Sequence, residues 1–271
     1  MILYFTGTGN TYEAALKLSE RIDQKCVCMD PALLNEPFEI EKGEEMVIWM
    51  CPVYSWGIPP YVRRFMACVK CEEFGNLIHH LVLTCGDDCG KTPEMWRRDA
   101  AKRAWKCGNV YTIIMPNNYV CMKGFDVDSP ELQEEKLKAL EKRVEHIAAD
   151  LKAYSSNSES KDDVTRGKFA GFKTSIIYPW FVRHAMSPRP FHYTEECISC
   201  GKCSTVCPMR NIEMINDDGN ALRPHWGADC AGCLACYHIC PVHAVQYGKS
   251  TLRKGQYFNA VYRSSLGKRK F

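Results

Sequence analysis

The chain has 271 residues, 46% of them hydrophobic and 25% charged, with a formal net charge of +3. This is the balance of an ordinary globular protein of one large or two modest domains, and no nucleic-acid partner is expected from it. Cysteine departs from the average: there are 17, and eight of them fall between positions 197 and 240.

The chain opens on Met1-Ile2-Leu3-Tyr4-Phe5, with no basic n-region, signal-length apolar core or cleavage site. The best apolar run, Ile176 to Val182, is short and contains Pro179, so no membrane span is expected. A cytoplasmic location follows as the expectation, and with it cysteines that serve as metal ligands or reduced core thiols rather than disulfides.

Strand-like apolar runs at 1–5, 26–29, 46–51, 77–84 and 109–115 alternate with helical patterns at about 11–24, 60–71 and 91–106. The last helix of this half is the clearest. It starts at the cap Ser129 with Pro130 in its first turn, and Leu137, Leu140, Val144, Ile147, Leu151 and Tyr154 recur at spacings of three and four. Five strands with intervening helices predict a doubly wound α/β domain over 1–154, a five-stranded parallel sheet covered on both faces.

Three loops at the carboxyl ends of these strands carry chemistry. The first, Thr6-Gly7-Thr8-Gly9-Asn10-Thr11, opens a helix. Small residues let its backbone wrap an anion, and the amides and helix N-terminus supply the positive end. The hydroxyls of Thr6, Thr8 and Thr11 and the Asn10 amide suit a phosphate monoester. A dinucleotide fingerprint lacks its third glycine, since position 12 is Tyr, although Asp30 at the end of the second strand keeps that reading open. The second loop is Pro52-Val53-Tyr54-Ser55-Trp56-Gly57, running on to Ile58 and Pro59. The third is Thr84-Cys85-Gly86-Asp87-Asp88-Cys89-Gly90; with Lys91 and Thr92 it nearly spells a triphosphate loop, but Cys85 stands where the first glycine belongs and ATP is rejected. Asn117-Asn118-Tyr119, after the fifth strand, is a further candidate rim.

These loops resemble the phosphate loop and the two flavin-flanking loops of flavodoxins. The resemblance implies FMN as cofactor, with Trp56 or Tyr54 stacking on the isoalloxazine, while core packing is the plainer role for either ring. It also singles out Cys85 and Cys89, whose loop would touch the flavin; the other cysteines of this half are expected in the core.

A polar break from Ser155 to Asp163 reads as a linker, followed by an aromatic connector up to residue 190 with Phe169, Phe172, Tyr178, Trp180 and Phe181. Packing at a domain junction and a lid over a cofactor are both open for it. Beyond it Cys197-x2-Cys200-x2-Cys203-x3-Cys207-Pro208 recurs 33 residues later as Cys230-x2-Cys233-x2-Cys236-x3-Cys240-Pro241. Ile212 and Val245 each lie five residues beyond the last cysteine of their run, and Asp217-Asp218-Gly219-Asn220 reads as a turn between short strands. Zinc has no use for a third cysteine at this spacing, and disulfides would not require the two prolines. Residues 191–247 resemble bacterial-type two-cluster ferredoxins, a small α+β domain with two 4Fe-4S clusters. In that motif the fourth cysteine of each run serves the other cluster. Cys197, Cys200, Cys203 and Cys240 would then hold one cluster, and Cys230, Cys233, Cys236 and Cys207 the second.

The chain as a whole resembles flavodoxin–ferredoxin fusion proteins of anaerobes, which implies electron transfer between the clusters and FMN and docking with redox partner proteins. A ferredoxin-dependent flavoenzyme reducing a small molecule is the alternative. Residues 1–168 carry a net −4 and residues 169–271 a net +7. The tail 248–271 holds Lys249, Arg253, Lys254, Arg263, Lys268, Arg269 and Lys270 and no acid. It is expected to steer an acidic ferredoxin, to neutralise the acidic half, or simply to be solvated.

Overall fold

A computed structural model describes residues 1–35, 38–40, 43–155, 157–216, 219 and 221–266. The first half alternates β1 (Ile2–Tyr4), α1 (Asn10–Ile22), β2 (Cys26–Cys28), β3 (Met46–Pro52), α2 (Pro60–Cys68), β4 (Ile78–Cys85), α3 (Thr92–Ala101), β5 (Lys106–Ile114) and α4 (Pro130–Lys152). Each element lies within a few residues of its apolar run or helical pattern. Ser129 caps α4 as its sequence suggests, its hydroxyl accepting from Leu132 N.

The sheet has six strands rather than five, in the order β2-β1-β3-β4-β5-β6, every pair parallel. The added strand, β6 (Asp162–Asp163), comes from the polar stretch expected to be linker and pairs with Val110 and Tyr111. Two acids give no apolar signal. They hold the sheet edge through their backbone, while Arg97 bonds Asp162 at 2.6 Å and Arg143 bonds Asp163 at 2.7 Å. The remaining order, 2-1-3-4-5, is the flavodoxin-like form of the doubly wound sheet, whose ligand crevice lies at the carboxyl ends of β1 and β3. Two apolar clusters fill its faces, one around Trp49, Phe65, Phe74 and Trp96, the other around Leu18, Met50, Val144 and Ile147.

Three histidines of the protein are buried, His79 and His80 in β4 and His238 in the second half of the chain. His79 Nδ1 accepts from Trp49 Nε1 at 3.0 Å, His80 Nδ1 from Asn109 N at 3.0 Å, and His238 Nδ1 from Tyr257 N at 3.1 Å. Accepting at Nδ1 requires the neutral ring with its proton on Nε2. Burial pushes all three pKa values from 6.5 down to about 4. The unfolded chain therefore binds more protons than the native one between pH 6.5 and about 4. Stability is full above that window and falls as the pH drops through it, by up to about 1.4 kcal/mol per pH unit for each histidine. Urea midpoints measured by far-UV circular dichroism should fall clearly from about pH 7.5 to about pH 5.5; equal midpoints would refute the assignment.

After β6 a helical segment runs as α5 (Ala170–Phe172), a π-helical turn (Lys173–Ile177) and α6 (Tyr178–His184). The second half then forms β7 (Phe191–Tyr193), α7 (Lys202–Val206), β8 (Ile212–Ile215), β9 (Arg223–Trp226), α8 (Ala235–Ile239) and β10 (Val245–Tyr247), ending on α9 (Ala260–Leu266). β7 pairs antiparallel with β10, and β8 with β9. The 33-residue repeat is written into the backbone: Ser199 and Gly232, Gly201 and Leu234, and Arg210 and His243 all have φ between 52° and 69°. Ile212 and Val245 are the first residues of β8 and β10, and both are buried. Of the expected turn at 217–220, only Gly219 lies within the described residues.

The tail does not behave as a solvated terminus. Thr251, Tyr257, Phe258, Asn259 and Tyr262 are buried. Lys254 pairs with Asp126, Arg263 lies over the Phe258 ring, and Lys268, Arg269 and Lys270 fall outside the described residues. The apolar and aromatic side chains among the basic ones decide the matter, because burying each stabilises by about 1.5–3 kcal/mol.

Candidate functional site

A cavity of about 570 Å3 opens at the carboxyl ends of β1, β3 and β4. Thr6, Gly7, Thr8, Asn10 and Thr11 line it from the first loop, Pro52, Val53, Tyr54, Ser55 and Trp56 from the second, and Thr84, Cys85, Gly86, Asp87 and Asp88 from the third. Asn117, Asn118 and Tyr119 line it as well, and Ile177, Trp180 and Phe181 of the connector close one side. Of the residues singled out in sequence, Gly9, Gly57 and Gly90 are not on its wall. They make room behind it: a Cβ on Gly9 would lie 2.4 Å from Tyr262, and one on Gly57 2.3 Å from the Tyr178 ring. Cys89 is buried in the core behind the cavity, whereas Cys85 faces it.

The first loop suits an anion. The amides of Gly7, Thr8, Asn10 and Thr11 find no acceptor among the described residues, and they surround the N-terminus of α1. Only Gly9 N is taken, by Thr6 Oγ1 at 3.2 Å. The Asn10 side chain is held from both ends: its Nδ2 donates to Pro116 O at 2.9 Å and its Oδ1 accepts from Tyr257 at 2.6 Å, which leaves its second N–H as a donor at the cavity wall. Asp30 is likewise accounted for, accepting from Ala32 N and pairing with Arg210 at 2.6 Å. It is not on the cavity wall, which leaves the dinucleotide reading without its ribose acid.

The second loop is a tight hairpin turn. Tyr54 and Gly57 exchange backbone hydrogen bonds of 2.9 and 3.1 Å, and Ser55 and Trp56 between them have φ of 47° and 61°. A turn with both central residues left-handed favours Asn and Gly, so Ser and Trp here carry strain. The connector stabilises it: Thr174 donates to Trp56 O at 2.8 Å, and the Lys173 ammonium lies 4.7 Å from the Trp56 ring centroid. Lys173 is itself held by Asp88 at 2.7 Å. The π-helical turn containing Lys173 and Thr174 is the kind of local irregularity that marks functional positions. The connector thus packs Tyr178 against the turn and walls one side of the cavity.

Two smaller cavities sort the eight cysteines. Cys197, Cys200, Cys203 and Cys240 line one, and Cys207, Cys230, Cys233 and Cys236 the other. Backbone amides reach the sulfurs at repeat-related places, Asn211 N to Cys207 Sγ at 3.3 Å and Ala244 N to Cys240 Sγ at 3.2 Å. Such bonds favour a thiolate ligand and tune a cluster's potential. Burial pushes the free Cys203 thiol up to about 11, so metal binding there would release a proton.

Cys233 belongs to two walls at once, lining the second cysteine cavity and the large one. A Cβ added to Gly7 would lie 2.8 Å from Cys233 Cβ, so glycine is what lets the cysteine loop sit against the first loop. A run of hydrogen bonds secures this junction. Asn118 Nδ2 donates to Thr8 Oγ1 at 2.6 Å, His238 Nε2 to Asn118 O at 2.7 Å, Tyr257 N to His238 Nδ1 at 3.1 Å, and Tyr257 Oη to Asn10 Oδ1 at 2.6 Å. Asn259 adds bonds to Thr8 O and to Glu13. None of the bonds that reach from this C-terminal segment to the first half is visible in the sequence, because each joins residues 120 or more positions apart. The one hint was the aromatic pair Tyr257-Phe258 in a basic tail.

Residues 193–247 match the family model of the 4Fe-4S dicluster domain. No curated protein matches the chain. Among solved structures, a flavodoxin from the domain Archaea aligns at 13% identity over 56% of this chain and 97% of its own, with a TM-score of 0.35. A rubredoxin oxygen:oxidoreductase from the anaerobe Desulfovibrio gigas aligns at 15% identity over 56% of this chain and 36% of its own, at 0.32. A flavone reductase aligns at 12% identity over 86% of each chain, at 0.36. At such scores the fold assignment rests instead on strand order and register. The chain joins a flavodoxin-like α/β domain to a 4Fe-4S dicluster domain, and is a redox protein. Among the described residues, no helix is long and apolar enough to cross a membrane.

Proposed function

We propose that the protein is an electron carrier holding two 4Fe-4S clusters and one FMN, and that electrons pass between them across Cys233. The observation that carries this reading is the double placement of Cys233 on the wall of a four-cysteine cavity and of the large cavity. The clusters supply one-electron carriers and the flavin one that holds one or two electrons. Cys207, Cys230, Cys233 and Cys236 hold the cluster near the large cavity, and Cys197, Cys200, Cys203 and Cys240 the outer one. Gly7, Thr8, Asn10 and Thr11 cradle the phosphate with their backbone amides, joined by the hydroxyl protons of Thr6 and Thr8, whose oxygens accept from Gly9 N and Asn118. Tyr54 and Trp56 form the aromatic wall for the ring system. Cys200 is exposed, with Ile198 and Val242 exposed on the same cavity. The outer cluster is therefore the end at which a redox partner protein docks, in the cytoplasm.

Anaerobically purified protein should contain about eight iron and eight acid-labile sulfide per chain, and acid extraction should release FMN. Iron near half that value, stoichiometric zinc, or FAD in the extract would overturn the assignment. A reductase acting on a small molecule draws support from the apolar wall of Tyr119, Met122, Phe125 and Phe181 on the same cavity. Anaerobic turnover with reduced ferredoxin and a panel of quinones, NAD(P)+ and enoates separates the two: a carrier shows none, a reductase selects one.

A further inference from the structure

The connector bears, from the helix N-cap Phe169 onward, an apolar stripe that none of the described residues covers. Phe169, Phe172, Ile176 and Trp180 follow one another at spacings of three and four and are 79%, 59%, 56% and 49% exposed. Their helix is anchored from behind by buried Thr174, Tyr178 and Phe181, so the stripe cannot turn inward. Large apolar side chains left together on a surface mark an interaction site.

The charges around the stripe identify its partner. Residues 164–190 contain Arg166, Lys168, Lys173, Arg183 and Arg189 and no acid. Arg166 is spent on Glu94 and Asp162, and Lys173 on Asp88. Lys168 at one end of the stripe and Arg183 and Arg189 at the other have no acidic partner among the described residues. An aromatic stripe with cations at both ends is the arrangement of a helix that lies in a membrane interface, its rings among the acyl chains and its cations at anionic headgroups. We infer that this face, Phe169 to Arg183, docks the protein reversibly on an anionic lipid surface. Trp180 is shared between the stripe and the large cavity, so docking brings the mouth of that cavity toward the bilayer.

The full-length holoprotein should cosediment with vesicles of phosphatidylcholine and phosphatidylglycerol, weakly with phosphatidylcholine alone, and less as salt is raised. Phe172→Gln with Ile176→Gln removes two exposed apolar groups that line no cavity and should lower partitioning by at least about 50-fold. Lys168→Gln with Arg183→Gln should lower it about 25-fold on anionic vesicles, roughly five-fold per charge, and leave the neutral-vesicle value unchanged. Circular dichroism and iron content should match wild type in both, since these side chains support no buried contact. Absence of binding to anionic vesicles at low salt would overturn the inference, as would equal binding by the variants. So would a wild-type dimer that the Phe172→Gln, Ile176→Gln pair dissolves, or an acidic ferredoxin that binds this face when vesicles do not.

Discussion

Ending the chain at Lys254 should strip the protein of its flavin while leaving most of its iron. The removed segment carries buried Tyr257, Phe258, Asn259 and Tyr262, which pack on α1 and on Gly9 and bond Thr8 and Asn10. Losing that cover exposes the back of the phosphate loop and leaves Asn10 Oδ1 and His238 Nδ1 without donors, a cost of about 1–3 kcal/mol each. The loop then has to be ordered by the ligand alone, and flavin affinity should drop on the order of 100-fold. Tyr237 keeps its bonds to Thr251 O and Lys254 O, but Gln256 no longer donates to Tyr237 O and Cys240 O. The cluster domain thus keeps part of its support, and some iron should be lost as well. Flavin fluorescence titration and iron analysis on one preparation check this. Unchanged flavin affinity would show the strap to be dispensable, and Tyr257→Phe should reproduce about a ten-fold part of the effect.

Replacing the fourth cysteine of each run should destroy a different cluster from the one its sequence neighbours build. Cys207 lines the cavity of Cys230, Cys233 and Cys236, and Cys240 that of Cys197, Cys200 and Cys203. In Cys207→Ala about four iron per chain should remain, all in the outer cluster. The cluster beside the large cavity would be gone, and flavin reduction by an external reduced ferredoxin should slow by orders of magnitude. In Cys240→Ala the inner cluster persists and a small neutral donor should still reduce the flavin at the wild-type rate. Spectra showing that Cys207→Ala loses the outer cluster would reverse the pairing.

Much of this was written in the chain. The apolar runs of β1, β3 and β4 and the three-four spacing of α4 are local signals, and burial on a sheet or a helix face is what each encodes. The cysteine repeat is equally local, since three thiols with two residues between successive ones can already hold three corners of one cluster; even the left-handed backbone at Arg210 and His243 repeats with it. Hidden in the same chain were β6, made by two acids whose only contribution to the sheet is backbone, and the true partners of Asn10. Periodicity cannot report either, because nothing about an Asp-Asp pair or a single asparagine says which distant group will meet it.

The sequence by itself determined an α/β domain with a glycine-rich anion loop and a cluster domain with eight thiolates, and left them as two objects with a linker and a basic tail. Only the tertiary structure decided that they are one device. Gly7 lets Cys233 close on the first loop, Asn118 and His238 bridge the domains, and the tail turns back over Gly9 because its aromatic rings gain more from burial than its charges gain from water. Those contacts join residues 120 or more positions apart, a separation at which no spacing rule operates and only packing in three dimensions chooses the partner.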